Sequence, residues 1–110
     1  MTKTITIDGK PTQITANALL PKQYRAKFGR DLIADMKGLV DAYNKDGSFD
    51  TDVLERLTWL MLRAAGNDVG DSPDEWLGSL DSVFGLYEIL PDVIGLWTAG
   101  TQTTSSAKKK

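Results

Sequence analysis

The sequence predicts an α+β fold, mainly α: an N-terminal β-hairpin packed on a bundle of about four to five short helices, followed by a disordered C-terminal tail. Three observations carry this expectation. Apolar and polar residues alternate on both sides of Asp8-Gly9, apolar residues recur at helical spacing between capping signals from Asn17 to Trp97, and no large apolar residue follows Gly100. At 110 residues there is room for one domain, assigned to residues 1–99, with 100–110 as a flexible Thr/Ser/Lys tail.

The hairpin is read from Ile5 to Thr15, since Asp-Gly tolerates the positive φ of a tight turn. Pro11 has no N–H to give to a ladder, so the returning strand is either an edge or fully paired only from Thr12. Asn17 caps a helix starting near Ala18, with Leu19, Leu20, Tyr24 and Phe28 on its buried side and Gly29 as its stop. Asp31 opens a second helix, in which Leu32, Ile33, Met36, Leu39, Val40 and Tyr43 form the apolar stripe, ending near Asn44.

Asp50 precedes a third helix over residues 51–65 whose apolar set is unusually broad. Val53, Leu57, Leu60, Met61 and Ala64 make one face, while Leu54, Trp59, Leu62 and Ala65 add flanks. Such a helix is either central to the core, the favoured reading, or covered by a partner. Ser72-Pro73-Asp74-Glu75 combines a cap, a preformed first position and a capping-box acid, which places a fourth helix over about 73–83. A fifth is expected over about 87–98, with Gly85 and Pro91 as breaks or kinks.

Composition narrows the function. The chain contains no histidine and no cysteine, which removes the usual proton-transfer and nucleophile pairs, disulfides and most structural zinc sites. The expectation is a protein that is not an enzyme and uses no cofactor or metal. Residues 1–99 carry ten basic and fifteen acidic side chains, and such an acidic body disfavours nucleic acid as a partner. Neither an export signal nor a membrane span is legible, so the expected location is cytoplasmic. Two decoys fail, one on register and one on composition. Placing Gly47 at the sixth position of a calcium loop puts Ala42 and Val53 where ligands are needed, and the loop at Gly66–Ser72 lacks the lysine of a phosphate loop.

The C-terminal third is the unusual region. Val83, Tyr87, Leu90, Ile94 and Trp97 make one helical stripe, and Phe84, Ile89, Val93 and Leu96 lie away from it. Either part of this set is offered to a partner, or all of it packs internally. Every 100 Å² of apolar surface withdrawn from water is worth about 2.5 kcal/mol before association costs.

Four stretches together resemble the tail assembly chaperones of long-tailed phages of Gram-positive bacteria. They are the Ile5-Thr6-Ile7-Asp8-Gly9-Lys10 hairpin, the Phe28-Gly29-Arg30-Asp31 junction, the Trp59–Ala64 helix, and Leu90-Pro91-Asp92-Val93-Ile94-Gly95-Leu96-Trp97 with its Thr/Ser/Lys tail. The resemblance spans nearly the whole chain but lies in packing residues, not in a chemical signature. It implies a factor of the host cytoplasm, absent from the mature virion, that binds the tape measure protein, keeps it soluble and promotes assembly of tail tube protein around it. Several copies along one client would allow a homo-oligomer. The family also commonly makes a longer product by frameshifting; Lys108-Lys109-Lys110 suits a slippery site or simply a solubilising tail.

On this reading the partner-binding residues are Trp59, Leu62, Tyr87, Leu90, Ile94 and Trp97. The main alternative is a structural minor tail or head-tail connector protein, which would remain in the virion.

Overall fold

The Asp8-Gly9 pair builds the turn that its chemistry allows: both residues have positive φ, 54° and 75°, in the computed structural model. It joins strands β1 (Thr2–Ile7) and β2 (Lys10–Thr15), paired antiparallel with Ile7 opposite Lys10 and Thr2 opposite Thr15. The structure describes residues 1–81 and 84–97. The expected tail over 100–110 and Val83 of the expected stripe lie outside them. Pro11 pairs with Thr6 within β2. Because the sheet has two strands, both are edges, and the missing N–H costs no ladder bond to a third.

Among the described residues the hairpin is followed by α1 (Leu20–Phe28), α2 (Leu32–Asp46), α3 (Thr51–Ala64), α4 (Pro73–Ser79) and α5 (Gly85–Glu88), and residues 90–97 are helical as well. The α+β, mainly α class holds. Asp31 Oδ1 accepts from the N–H groups of Ile33 and Ala34, at 2.9 and 3.3 Å, and Asp50 Oδ1 does the same for Asp52 and Val53 at 2.9 and 3.4 Å. Ser72 Oγ accepts from Glu75 N–H at 3.3 Å, while the Glu75 carboxylate reaches back to Asp71 N–H at 2.9 Å, one residue before the position a capping box prescribes. That reach needs Gly70, whose φ of 74° and lack of Cβ clear the Glu75 side chain.

Several boundaries differ from expectation. α1 starts at Leu20, since Asn17 Oδ1 accepts from Leu19 N–H and holds residues 17–19 in a turn. Leu19 therefore precedes the helix and is exposed, and Ile33 in the first turn of α2 is 57% exposed although it fits the apolar stripe. α4 ends at Ser79, whose hydroxyl bonds back to Trp76 O at 2.6 Å, leaving Leu80 extended. The last helix is divided: Pro91 would lack an N–H and crowd the Tyr87 carbonyl in one continuous helix, so α5 stops at Glu88 and Pro91 falls in the first turn of 90–97.

α3 lies at the centre. Val53, Leu54, Leu57 and the unbroken run from Thr58 to Leu62 are all buried, so at that level the helix has no solvent face. β2, α1, α2 and α4 all contact α3. Ile5, Ile7 and Ile14 bring the inner hairpin face into the same core, with Leu20, Tyr24, Leu32, Met36 and Leu39 from the first two helices. Asn67 Nδ2 clamps α3 to the hairpin, donating to Leu62 O at 3.0 Å and Gln13 O at 2.7 Å. Trp59 donates its indole N–H to Val69 O at 3.2 Å and meets Phe28 edge-on at 6.0 Å between centroids.

One polar cluster ties three helices. Asp35 of α2 accepts two bonds from Arg30, at 2.7 and 2.8 Å, and one from the Tyr24 hydroxyl of α1 at 2.8 Å; Arg56 of α3 donates to that hydroxyl at 3.0 Å and stands 3.7 Å from the carboxylate. The Arg30 guanidinium, with help from Tyr24 and Arg56, holds the Asp35 carboxyl below the usual carboxylate range despite its burial.

Two stability outcomes are expected. Asp35→Asn lowers the unfolding free energy at pH 7 by about 1.5–3 kcal/mol, read by urea denaturation. The Asp35 contribution is fully present above the unfolded carboxyl pKa of about 4 and disappears as pH falls through the lowered folded value, so parent and variant converge in acid. Thr58→Val should raise stability by about 1 kcal/mol, because the Thr58 hydroxyl is buried with no hydrogen-bond partner among the described residues and valine keeps its shape.

Candidate functional site

The largest exposed apolar groups near the carboxyl end come from α5 and its entry. Phe84 is the N-cap residue of α5 and is 66% exposed; Tyr87, one turn on, is 44% exposed. Their rings lie 6.3 Å apart, and Tyr87 also meets Phe49, from the turn before α3, at 5.6 Å. Met1, Leu19 and Ile33 are the other large hydrophobic side chains exposed among the described residues. Tyr87, with Phe84 beside it, borders a hollow.

That hollow is a groove of about 320 Å³ lined by Thr51, Glu55, Leu77, Leu80, Asp81, Leu86 and Tyr87. The first turns of α3 form one wall, the end of α4 and its exit another, and α5 the third. Its position is fixed from both sides. Leu77, Leu80 and Phe49 pack partly into the core, and the exit from α4 is pinned where Asp81 N–H donates to Asp8 Oδ2 of the hairpin turn at 2.6 Å.

The groove is acidic at its edge. Burial pushes the Glu55 carboxyl up from its ordinary value, and the nearby carboxylates of Asp52 and Asp74 push it further; Arg56 opposes them. Arg56 is itself engaged with Tyr24 and Asp35 on the other side of α3. Chemically this arrangement offers aliphatic and aromatic contact beside partly desolvated negative charge. It brings together no nucleophile and base pair. Among the described residues no three His, Cys, Asp or Glu side chains are grouped to hold a metal ion, and no helix is long and apolar enough to cross a membrane.

The six residues expected to bind a partner are distributed differently from that expectation. Trp59 and Leu62 are enclosed within α3, and Leu90 and Ile94 are buried against the same core. They are interior because α3 is covered on every side and the segment 90–97 supplies part of the cover. Trp97 is partly buried, with its indole N–H on Met61 Sδ at 3.2 Å. Tyr87 alone of the six is exposed. In the second set, Ile89, Val93 and Leu96 are buried and Phe84 is exposed. The internal-packing alternative thus describes most of the C-terminal third, and the accessible remainder is the Phe84–Tyr87 edge.

Phe49, Glu55, Leu77, Leu80, Asp81 and Leu86 were not among the expected site residues. Phe49 carried a usable signal: an aromatic in a polar turn immediately before the Asp50 cap sits where an apolar side chain folds back onto the helix. The others have ordinary helix and turn spacing and become a site only through packing.

Comparison of the chain with protein families, with curated proteins and with solved structures finds no match.

Substitutions should separate core from surface. Ile94→Asp puts an unpaired charge in the interior and is expected to cost at least about 3 kcal/mol or to prevent folding. Tyr87→Ser should cost no more than about 1 kcal/mol. Denaturation curves of the two variants check this; equal losses would mean that Tyr87 belongs to the core.

Proposed function

We propose that the chain is a phage tail assembly chaperone that binds the tape measure protein, keeps it soluble and promotes assembly of the tail tube around it. The observation that carries the reading is the exposed Tyr87 ring at the edge of a groove of mixed leucine and carboxylate lining, with exposed Phe84 beside it, an arrangement suited to holding a protein segment. The resemblance of the hairpin, the Phe28-Gly29-Arg30-Asp31 junction, the α3 run and the 90–97 segment names the client.

Such a holdase works by mass action. It shields apolar segments of a long client until tube subunits displace it, and no nucleotide cycle is required. The acidic body keeps the complex in solution. The site of action is the host cytoplasm, and the factor leaves before the virion is complete.

Co-expression of the full chain with the tape measure protein of the same phage tests this. The chain should raise the soluble fraction of the client. The double substitution Phe84→Ser/Tyr87→Ser, checked for folding by circular dichroism, should weaken binding roughly tenfold or more, as loss of two aromatic contacts of about 1 kcal/mol each implies. Unchanged client solubility with and without the chain refutes the proposal. Mass spectrometry of purified particles separates it from a minor tail or head-tail connector role, which requires stoichiometric retention in the virion.

A further inference from the structure

The groove's floor and rim constrain what can occupy it. Half-buried Leu77 and Leu80 and the exposed ring of Tyr87 offer apolar surface over buried Leu86, while Glu55 and Asp81 stand in the same lining, and no lysine or arginine is among the described lining residues. Asp50, Asp52 and Asp74 add negative charge around Glu55. The cation that opposes them, Arg56, is engaged by the Tyr24 hydroxyl at 3.0 Å and by Asp35 at 3.7 Å. An occupant that covered this groove without bringing positive charge would withdraw carboxylates from water and leave them unpaired, a loss that can cancel the apolar gain.

The walls also decide the backbone form of the occupant. All three are helical segments or their ends, and the only sheet among the described residues is the hairpin, which contributes no residue to the groove lining. No strand edge is therefore present to pair with an extended peptide. A segment that buries its backbone against these walls finds no ladder partner and has to satisfy its own N–H and C=O groups, as an α-helix does.

We infer that the groove between α3, α4 and α5 receives an amphipathic α-helix of a partner protein, with aliphatic side chains on Leu77, Leu80 and Tyr87 and lysine or arginine beside them facing Glu55 and Asp81. The inference rests on the reading of this face as the client surface and specifies the client segment: a leucine-rich helical stretch of net positive charge.

Titration of the full chain with three synthetic helical peptides, followed by amide NMR shifts, tests it: one of leucine and lysine with an apolar stripe, one with glutamate replacing each lysine, and one with the leucine and lysine order scrambled. The first peptide should bind at least about tenfold more tightly than either other. Its shifts should centre on Thr51, Glu55, Leu77, Leu86 and Tyr87. Glu55→Gln/Asp81→Asn, checked for folding by circular dichroism, should weaken that peptide about five- to tenfold and flatten its salt dependence.

Equal binding of the lysine and glutamate peptides, equal binding of the scrambled one, shifts away from the groove, or indifference to Glu55→Gln/Asp81→Asn would each overturn the inference. So would groove resonances that move with chain concentration, which identify a second copy as occupant. Groove resonances that move on Lys108→Ser/Lys109→Ser/Lys110→Ser without peptide would likewise overturn it, in favour of the chain's own C-terminal segment. Failure of the client reading is distinguishable. A client still solubilised through Phe84 and Tyr87 without lysine preference removes the charge inference alone, and peptide recognition without any effect on the tape measure protein removes the assigned client.

Discussion

The structure depends on covering α3 from every direction. Thr58, Trp59, Leu60, Met61 and Leu62 are consecutive and all buried, so a full helical turn of side chains must find protein on all sides. No single neighbouring helix can do this. The hairpin covers one side through β2, α1 and α2 cover others, α4 contacts a further part, and Trp97 reaches Met61 from the last described helical segment. A marginal two-stranded sheet persists in this setting because its three inward isoleucines complete the enclosure. The same demand explains the buried bond from the Trp59 indole to Val69 O, since a fully enclosed tryptophan must place its N–H.

Covering α3 consumes most of the apolar residues that made the C-terminal third conspicuous. Leu86, Ile89, Leu90, Val93, Ile94 and Leu96 all become core. What remains outside is set by the break at Pro91 and the start of α5 at Gly85, which turn Phe84 and Tyr87 toward solvent instead of toward α3. The candidate surface is thus the residue of a packing problem: the edge left over once a small core is closed. Its negative rim comes from acids whose local work includes helix starts, Asp50 capping α3, Asp52 in its first turn and Asp74 in the first turn of α4. Cap chemistry and groove electrostatics share the same carboxylates.

Much of the fold was legible because its signals are local. Asp8-Gly9, Asp31, Asp50 and Ser72-Pro73 each act on the backbone within three residues, and each acts in the structure where the sequence places it. Errors arose where a local pattern competes with tertiary position. Leu19 and Ile33 fit helical stripes, yet one falls in the turn before α1 and the other rotates away from the core. The candidate site was less legible for the same reason. A stripe shows which residues share a face but not whether a neighbour covers it, so Leu90 and Ile94 could not be told from Tyr87 by spacing. The groove joins Thr51 and Glu55 to Leu77, Leu80 and Leu86 across two connecting segments, a proximity that no periodicity encodes.

Hydrogen exchange of the free chain tests most directly whether a fully covered α3 underlies the whole arrangement. Amides of residues 57–62 should exchange only through global unfolding, with a free energy equal to that from denaturation, while those of residues 84–88 should exchange through smaller local openings. Exchange of 57–62 at a free energy well below the global value would contradict this, because part of the cover would then open independently and the buried residues of α3 and 90–97 would be intermittently available as surface.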